Sequence, residues 1–261
     1  MRFLLIGDVI GKPGRQCLRD LLPRIIQNYD IDFTIANGEN LASGTGFNEK
    51  TANELFTYGV DVLTMGNHVW DKREAIPYID REKRIVRPIN YPPGTPGQGY
   101  GTFHAHGKTI GIINACGRVF MPALDCPFRT VEKAVQRLKK ETNIILVDFH
   151  AEATSEKIAL GRYLDGTVSA VVGTHTHVQT ADERILTHGT AYITDLGMTG
   201  PRESVLGVDP EIVLRKFTTQ MPARFEVATK GPLQFNAVYV DVDETTGLAC
   251  EISRISDLHE L

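Results

Sequence analysis

The chain has 261 residues, 42% of them hydrophobic and 23% charged, with a formal net charge of −4. These are ordinary values for a soluble globular protein, which can form a core of normal size without disulfides or structural metal. The acidic balance argues against a long nucleic acid as the main partner, because phosphate-tracking proteins carry a basic excess. The four cysteines, Cys17, Cys116, Cys126 and Cys250, form no Cys-x-x-Cys pair and read as free thiols.

The opening apolar run, residues 3–6, reads as a buried strand. It stops at Gly7-Asp8, too short for the core of a signal peptide, and no apolar stretch reaches membrane-spanning length. The expectation is a cytoplasmic protein with no membrane partner. After a Gly/Pro loop at residues 11–14, Cys17, Leu18, Leu21, Leu22, Ile25 and Ile26 fall at helical spacing. Pro23 lies inside that pattern and is expected to kink or divide the helix. Strands follow at residues 31–36 and 60–65, with a helix around residues 49–58 between them. Strand–helix–strand repetition of this kind indicates right-handed crossovers and a parallel sheet. Residues 84–101 are rich in Pro and Gly and read as a long surface loop. Residues 100–104 and 108–114 flank Ala105-His106-Gly107 and suggest a hairpin. Helices near 131–140 and 155–164 lead into strands at 144–149 and 168–172. A further strand is expected at 191–194, and two more at 235–242 and 249–255. With no repeat and no linker, residues 1–261 read as one domain, two sheets face to face with helices outside.

Five polar clusters directly follow apolar strands: Gly7-Asp8, Gly38-Glu39-Asn40, Gly66-Asn67-His68, His150-Ala151-Glu152 and Gly173-Thr174-His175-Thr176-His177. In an open α/β sheet, ligands bind outside the carboxyl ends of the strands, so parallel strands bring these clusters to one pocket. Carboxylate, amide and imidazole together are the donor types that hold a pair of transition-metal ions. Each cluster alone is weak. Asp8 could cap a turn, Glu39-Asn40 could be loop polarity, and His68 or His150 could be a satisfied core histidine. The combination carries the reading, and His175-x-His177 is its strongest part. Gly173 before that pair lets the backbone approach closely. His104, His106, His188 and His259 lie away from these strand ends and read as surface residues.

In this order the clusters resemble the calcineurin-type metallophosphoesterases, and most closely the YmdB-like branch, described as 2′,3′-cyclic-nucleotide 2′-phosphodiesterases. The resemblance runs from Asp8 to about Gly200. Two motifs depart from the wider superfamily and follow the branch. Ile10 stands where a metal-binding His is usual. Glu39 replaces a bridging Asp, and Ala42 replaces the carboxylate that often orients the catalytic His. The resemblance implies a four-layer α/β/β/α sandwich and two transition-metal ions, iron or manganese, with zinc also compatible with the donors. Glu39 would bridge them, Asp8 and His177 completing one site and Asn67, His150 and His175 the other, with Asn40 an extra ligand. It also implies hydrolysis of a small cyclic nucleotide by a metal-bridging hydroxide. His68, one residue past a ligand, would protonate the leaving alkoxide.

The Ala42–Gly46 loop reads equally well as a phosphate-binding turn or a plain one. Two other functions stay open at this level. One is a phosphomonoesterase or protein phosphatase with the same metals. The other is a regulatory nucleotide- or RNA-binding protein with structural metals, against which the presence of His68 counts. Oligomeric state is likewise open, a homo-oligomer included.

Overall fold

The computed structural model describes residues 1–260. In chain order the elements are β1 (Arg2–Ile6), β2 (Asp8–Val9), α1 (Gly11–Asn28), β3 (Phe33–Asn37), α2 (Glu49–Tyr58), β4 (Val62–Thr64), α3 (Ala75–Arg81), β5 (Ile85–Val86), β6 (Tyr100–Ala105) and β7 (Lys108–Cys116). They continue with α4 (Pro127–Leu138), β8 (Ile145–His150), α5 (Thr154–Tyr163), β9 (Ala170–Thr174), β10 (Arg184–Ile185), β11 (Ala191–Ile193), β12 (Met198–Pro201), α6 (Pro210–Thr219), β13 (Leu233–Val242) and β14 (Ala249–His259).

Alternation along the strands sorts the side chains into three apolar layers. Phe3 and Leu5 of β1, with Phe33 and Ile35 of β3, pack against Ile110, Ile112, Leu146 and Val172 of the other sheet. Leu4, Ile6, Ala36 and Leu63 face the opposite way, onto Leu18 and Leu22 of α1 and Leu55 of α2. On the far side, Ile113, Ile145, Val147 and Val171 meet Val131, Val135 and Leu138 of α4 and Leu160 of α5. Strands buried on both faces read as continuous apolar runs, which is why β1, β3 and β8 stand out in the sequence. The result is the expected α/β/β/α sandwich. One sheet runs β2-β12-β13-β1-β3-β4-β5, with β14 also on β13, and the other runs β10-β11-β9-β8-β7-β6.

Register sets up the site. β1, β3 and β4 are parallel, with Ile6 opposite Ala36 and Asn37 opposite Thr64. In the second sheet β8 and β9 are parallel, with His150 opposite Thr174. The carboxyl ends of these strands are therefore level, and the loops that follow them emerge side by side.

Five expectations change, the first being that the Gly/Pro segment 11–14 is the opening turn of α1 and not a loop. Helix α1 runs on through Pro23 and is not divided. Its buried residues Leu18, Leu21, Leu22 and Ile25 lie on both sides of the proline, while Pro23 and Arg19 face solvent. Water can take the carbonyl that the missing N–H leaves free. The segment 84–101 is not a free surface loop. It begins as β5 and wraps the buried Arg87, whose guanidinium donates to the carbonyls of Pro88, Thr95, Pro96 and Gly97. The last strand extends to His259, whose ring lies 3.2 Å from Asp20 of α1 and is only partly exposed. Lastly β12, unmarked in the sequence reading, links β2 to β13. The Ala105-His106-Gly107 hairpin forms as expected, with positive φ at His106 and Gly107.

Candidate metal centre

Each cluster delivers side chains to the level ends of the central strands. At the end of β8, three donor atoms from three loops meet around His150 Nε2. Asn67 Oδ1 and Glu39 Oε1 lie 3.1 Å from it, and His175 Nδ1 lies 3.0 Å from it. Asp8 and His177 stand alongside as a looser pair, with Asp8 Oδ1 3.8 Å from His177 Nε2 and 3.8 Å from His150 Nδ1. Glu39 joins the His150 group to His68, because its Oε2 accepts the His68 backbone N–H at 3.0 Å. Asp8, Glu39 and His150 are almost wholly buried.

Outer acceptors decide which way the imidazoles present their lone pairs. The Thr174 hydroxyl donates to Asp148 Oδ1 at 2.7 Å, so it accepts from His150 Nδ1 at 3.0 Å. The Glu152 carboxylate, 3.1 Å from His175 Nε2, favours the hydrogen on that nitrogen. The Leu206 carbonyl likewise takes the hydrogen of His177 Nδ1 at 3.0 Å. The inner nitrogens, His175 Nδ1, His177 Nε2 and His150 Nε2, then face the cluster, the last being the one that carries a proton or an ion. Outer partners that fix imidazole tautomers in this way are characteristic of metal-ligating histidines.

Whether the residues suit a cation can be judged from the polar atoms they leave unmatched. Asp8 Oδ1 and Asn40 Oδ1 are buried with no hydrogen-bond partner among the described residues, a costly arrangement for a carboxylate and an amide. Both belong to the expected ligand set. Gly66 is required here, because a methyl group on it would overlap Glu39 Oε2 and the His150 ring. The donor set fits.

The electrostatics point the same way. Burial pushes the Asp8 carboxyl up to about 6, against the pull of His177 and His150. Burial opposes charge on Glu39 too, but His150 outweighs it and the carboxyl is lowered. Desolvation opposes charge on His150, and Glu39 overrides it, raising the imidazole to about 9. His175, desolvated and beside His150, is pushed down to about 3. A cluster of acceptors packed this closely is held together by positive charge, carried either by a proton or by an ion.

The histidine loop itself is strained. His175 has φ 101° and His177 φ 64°, values that non-glycine residues rarely adopt. Asp195 holds the loop by accepting from the Thr176 N–H and hydroxyl at 3.1 and 2.7 Å, and its charge is met by Lys157 Nζ at 2.6 Å. Lys157 and Asp195 are both buried. Gly173 is a close-approach position, as its place in the sequence suggests, since a side chain there would strike the Thr194 carbonyl.

His68 takes no part in the donor cluster through its ring. Its Nδ1 pairs with Asp71 Oδ2 at 2.8 Å, three residues on, and the ring is about one-third exposed. Asp71 thus supplies the orienting carboxylate that Ala42 cannot. Beside His68 the Ala42–Gly46 loop borders a cavity, although the Ala42 N–H is already spent on the Gly46 carbonyl. Sequence reading missed Asp71, Asp148, Lys157 and Asp195. Only Asp71 left a local signal, an acid one helical turn after His68.

The profile of the YmdB-like protein family matches residues 4–255. A 2′,3′-cyclic-nucleotide 2′-phosphodiesterase of Bacillus subtilis strain 168 is 51% identical over 255 residues, covering 98% of this chain and 96% of that protein. Among solved structures, a hypothetical protein of Thermus thermophilus superposes with a TM-score of 0.93 at 42% identity, over 99% of this chain and 100% of the other. A Mycoplasma pneumoniae protein described as a novel phosphatase gives a TM-score of 0.93 at 36% identity, over 100% and 94% of the two chains. With the family profile spanning nearly the whole chain and the motif order matching, this chain belongs to the YmdB-like protein family.

Proposed function

We propose that this chain is a metal-dependent phosphodiesterase that hydrolyses small cyclic nucleotides, 2′,3′-cyclic nucleotides foremost. The observation that carries the reading is the set of three imidazoles whose outer nitrogens each face an acceptor and whose inner nitrogens converge on buried carboxylates. The named activity of the Bacillus subtilis relative, at 51% identity, supports the substrate class. Residues 1–261 act as one metallophosphoesterase domain in this reading. Among the described residues no helix is long and apolar enough to cross a membrane, and the free thiols suit a cytoplasmic enzyme.

Asp8, Glu39, Asn40 and His177 would hold one ion, and Glu39, Asn67, His150 and His175 the other. Donors of oxygen and imidazole nitrogen without thiolate suit iron, manganese or zinc, and the family resemblance favours the first two. Two such ions, when bound, neutralise phosphoryl oxygens and make water a stronger acid near neutral pH. The protein's own contribution is positional. Gly66 keeps Glu39 and His150 in contact, and Asp8 accepts the His175 backbone N–H, tying the first strand end to the strained loop. His68, with Nδ1 donating to Asp71, keeps Nε2 available to pass a proton to the departing ribose oxygen.

The test is metal content together with a substrate panel. Protein reconstituted with iron or manganese should carry about two ions per chain. It should turn over 2′,3′-cyclic AMP faster than 3′,5′-cyclic AMP or p-nitrophenyl phosphate. Full activity at one ion per chain, or a preference for the monoester, would overturn the reading.

A further inference from the structure

Beside His68 lies a cavity of about 360 Å³ that opens away from the metal centre, with Asn40 and His177 at its inner edge. That size falls within the range of small-molecule sites. One wall is apolar, formed by Ile10, Leu206, Val208, Phe225 and Val227, and Ser43, Thr45 and Glu226 add polar groups to the lining. Two of the apolar residues are conspicuously uncovered: Phe225 is 47% exposed and Leu206 49%. Leu206 also has φ 54°, a conformation that a leucine does not adopt for its own sake. Both are held in place. The backbone of 226–228 bonds to that of 207–209, and the Lys216 ammonium stands 4.6 Å from the centroid of the Phe225 ring.

We infer that this cavity is a nucleobase subsite, with the Phe225 ring as its stacking platform. The inference rests on the phosphodiesterase reading above and deepens it. In a 2′,3′-cyclic nucleotide both ester oxygens belong to one ribose, so the oxygen that leaves stays attached to the nucleoside. The ribose must then lie next to the group that protonates that oxygen, His68, and the base lies one glycosidic bond beyond. The cavity that His68 borders is this one. A second cavity reaching His177 is walled by Arg202, Gln234, Asn236 and Arg254, and His68 does not line it. A flat ring with polar edges matches a pocket with an aromatic wall and hydroxyl and carboxylate groups beside it. Stacking tolerates every base, whereas Glu226 can accept from the amino groups of adenine, guanine and cytosine.

The experiment compares adenosine 2′,3′-cyclic phosphate with the cyclic phosphate of methyl riboside, which lacks the base, on metal-loaded protein. Loss of one base–aromatic stack corresponds to roughly a ten- to hundredfold change. The wild type should prefer the nucleotide in kcat/KM by about that factor. Phe225→Ala should bring the ratio close to one, and Phe225→Trp should restore it. Phe217→Ala, which removes an exposed aromatic of α6 outside the cavity, should leave the preference intact. Saturation-transfer NMR with adenosine 3′-monophosphate reads the subsite without turnover. The adenine H2 and H8 signals should be saturated by the wild type and lost with Phe225→Ala. An unchanged ratio, or unchanged adenine saturation, in Phe225→Ala overturns the subsite. If the wild type hydrolyses neither substrate but adenine saturation still depends on Phe225, the activity reading fails and the subsite stands.

Discussion

At the residue scale, the proposed function divides the site into side chains that hold charge and one, His68, that would move a proton, and the two kinds can be separated by measurement. His68 has its own partner, Asp71, and its ring stands apart from the donor cluster. His68→Ala should therefore keep its metal and lose about 10²–10⁴-fold in rate on 2′,3′-cyclic AMP. The loss should be smaller on bis-p-nitrophenyl phosphate, whose leaving group needs no proton. Equal losses on both substrates, or loss of metal, would remove the proton-donor role. Asp71→Asn should lower kcat by less, with metal content unchanged. Glu39 behaves differently, because it touches both His150 and the His68 backbone. Glu39→Gln should lose ions and activity together, whereas Asp8→Asn should chiefly weaken the site it shares with His177. Elemental analysis of the two variants checks the assignment, and a Glu39→Gln protein with both ions and normal turnover contradicts it.

At the element scale, the loop after β9 stores strain and an adjacent buried ion pair holds it. Two positive-φ histidines cost of order 1–3 kcal/mol each, which only an over-determined surrounding can sustain. Asp195 supplies that surrounding through Thr176, and also accepts the Gly197 N–H at 2.8 Å. Removing one member of a buried pair leaves the other uncompensated, at about 3–5 kcal/mol. Asp195→Ala should accordingly lower the denaturant midpoint and weaken metal binding as well. Combining it with Lys157→Met should return much of the stability but not the metal affinity, since the loop's anchor is still missing. If the single variant binds metal normally, Asp195 does not position the histidines. The sequence marks Lys157 only as a charged position in a helix. Its burial follows from α5 packing on β9, which places that face of the helix over Asp195.

At the scale of the whole molecule, the centre joins loops from both sheets, so ions that bind there should stabilise the entire sandwich. Metal at 100 times its Kd adds about 2.7 kcal/mol. Thermal unfolding should rise by several degrees on loading, and the rise should vanish in Glu39→Gln. The metal-stripped protein should also depend on pH in a defined direction. His150 is raised from 6.5 to about 9 by Glu39, so it favours the fold fully below pH 6.5 and loses that contribution as pH climbs through 9. An ion replaces the proton, and the loaded protein should show no such decline. A metal-stripped protein whose stability is flat from pH 6.5 to 9 would contradict the charge arrangement. Much of this molecule was legible from the chain alone. Strand alternation, crossover order and the residue types at strand ends are local patterns, and they sufficed for two sheets face to face with helices outside and for polar clusters meeting at one pocket, while the resemblance implied the proposed donor set of Asp8, Glu39, Asn67, His150, His175 and His177. What tertiary structure decided was each donor's partner and orientation. Thr174 and Asp148 behind His150, Asp195 behind Thr176, Lys157 beneath them and Phe225 across the cavity come from separate elements, and their meeting depends on sheet register and helix packing. The passage of α1 through Pro23 has the same cause, since a helix is kept or broken by the surface it buries as much as by its own backbone.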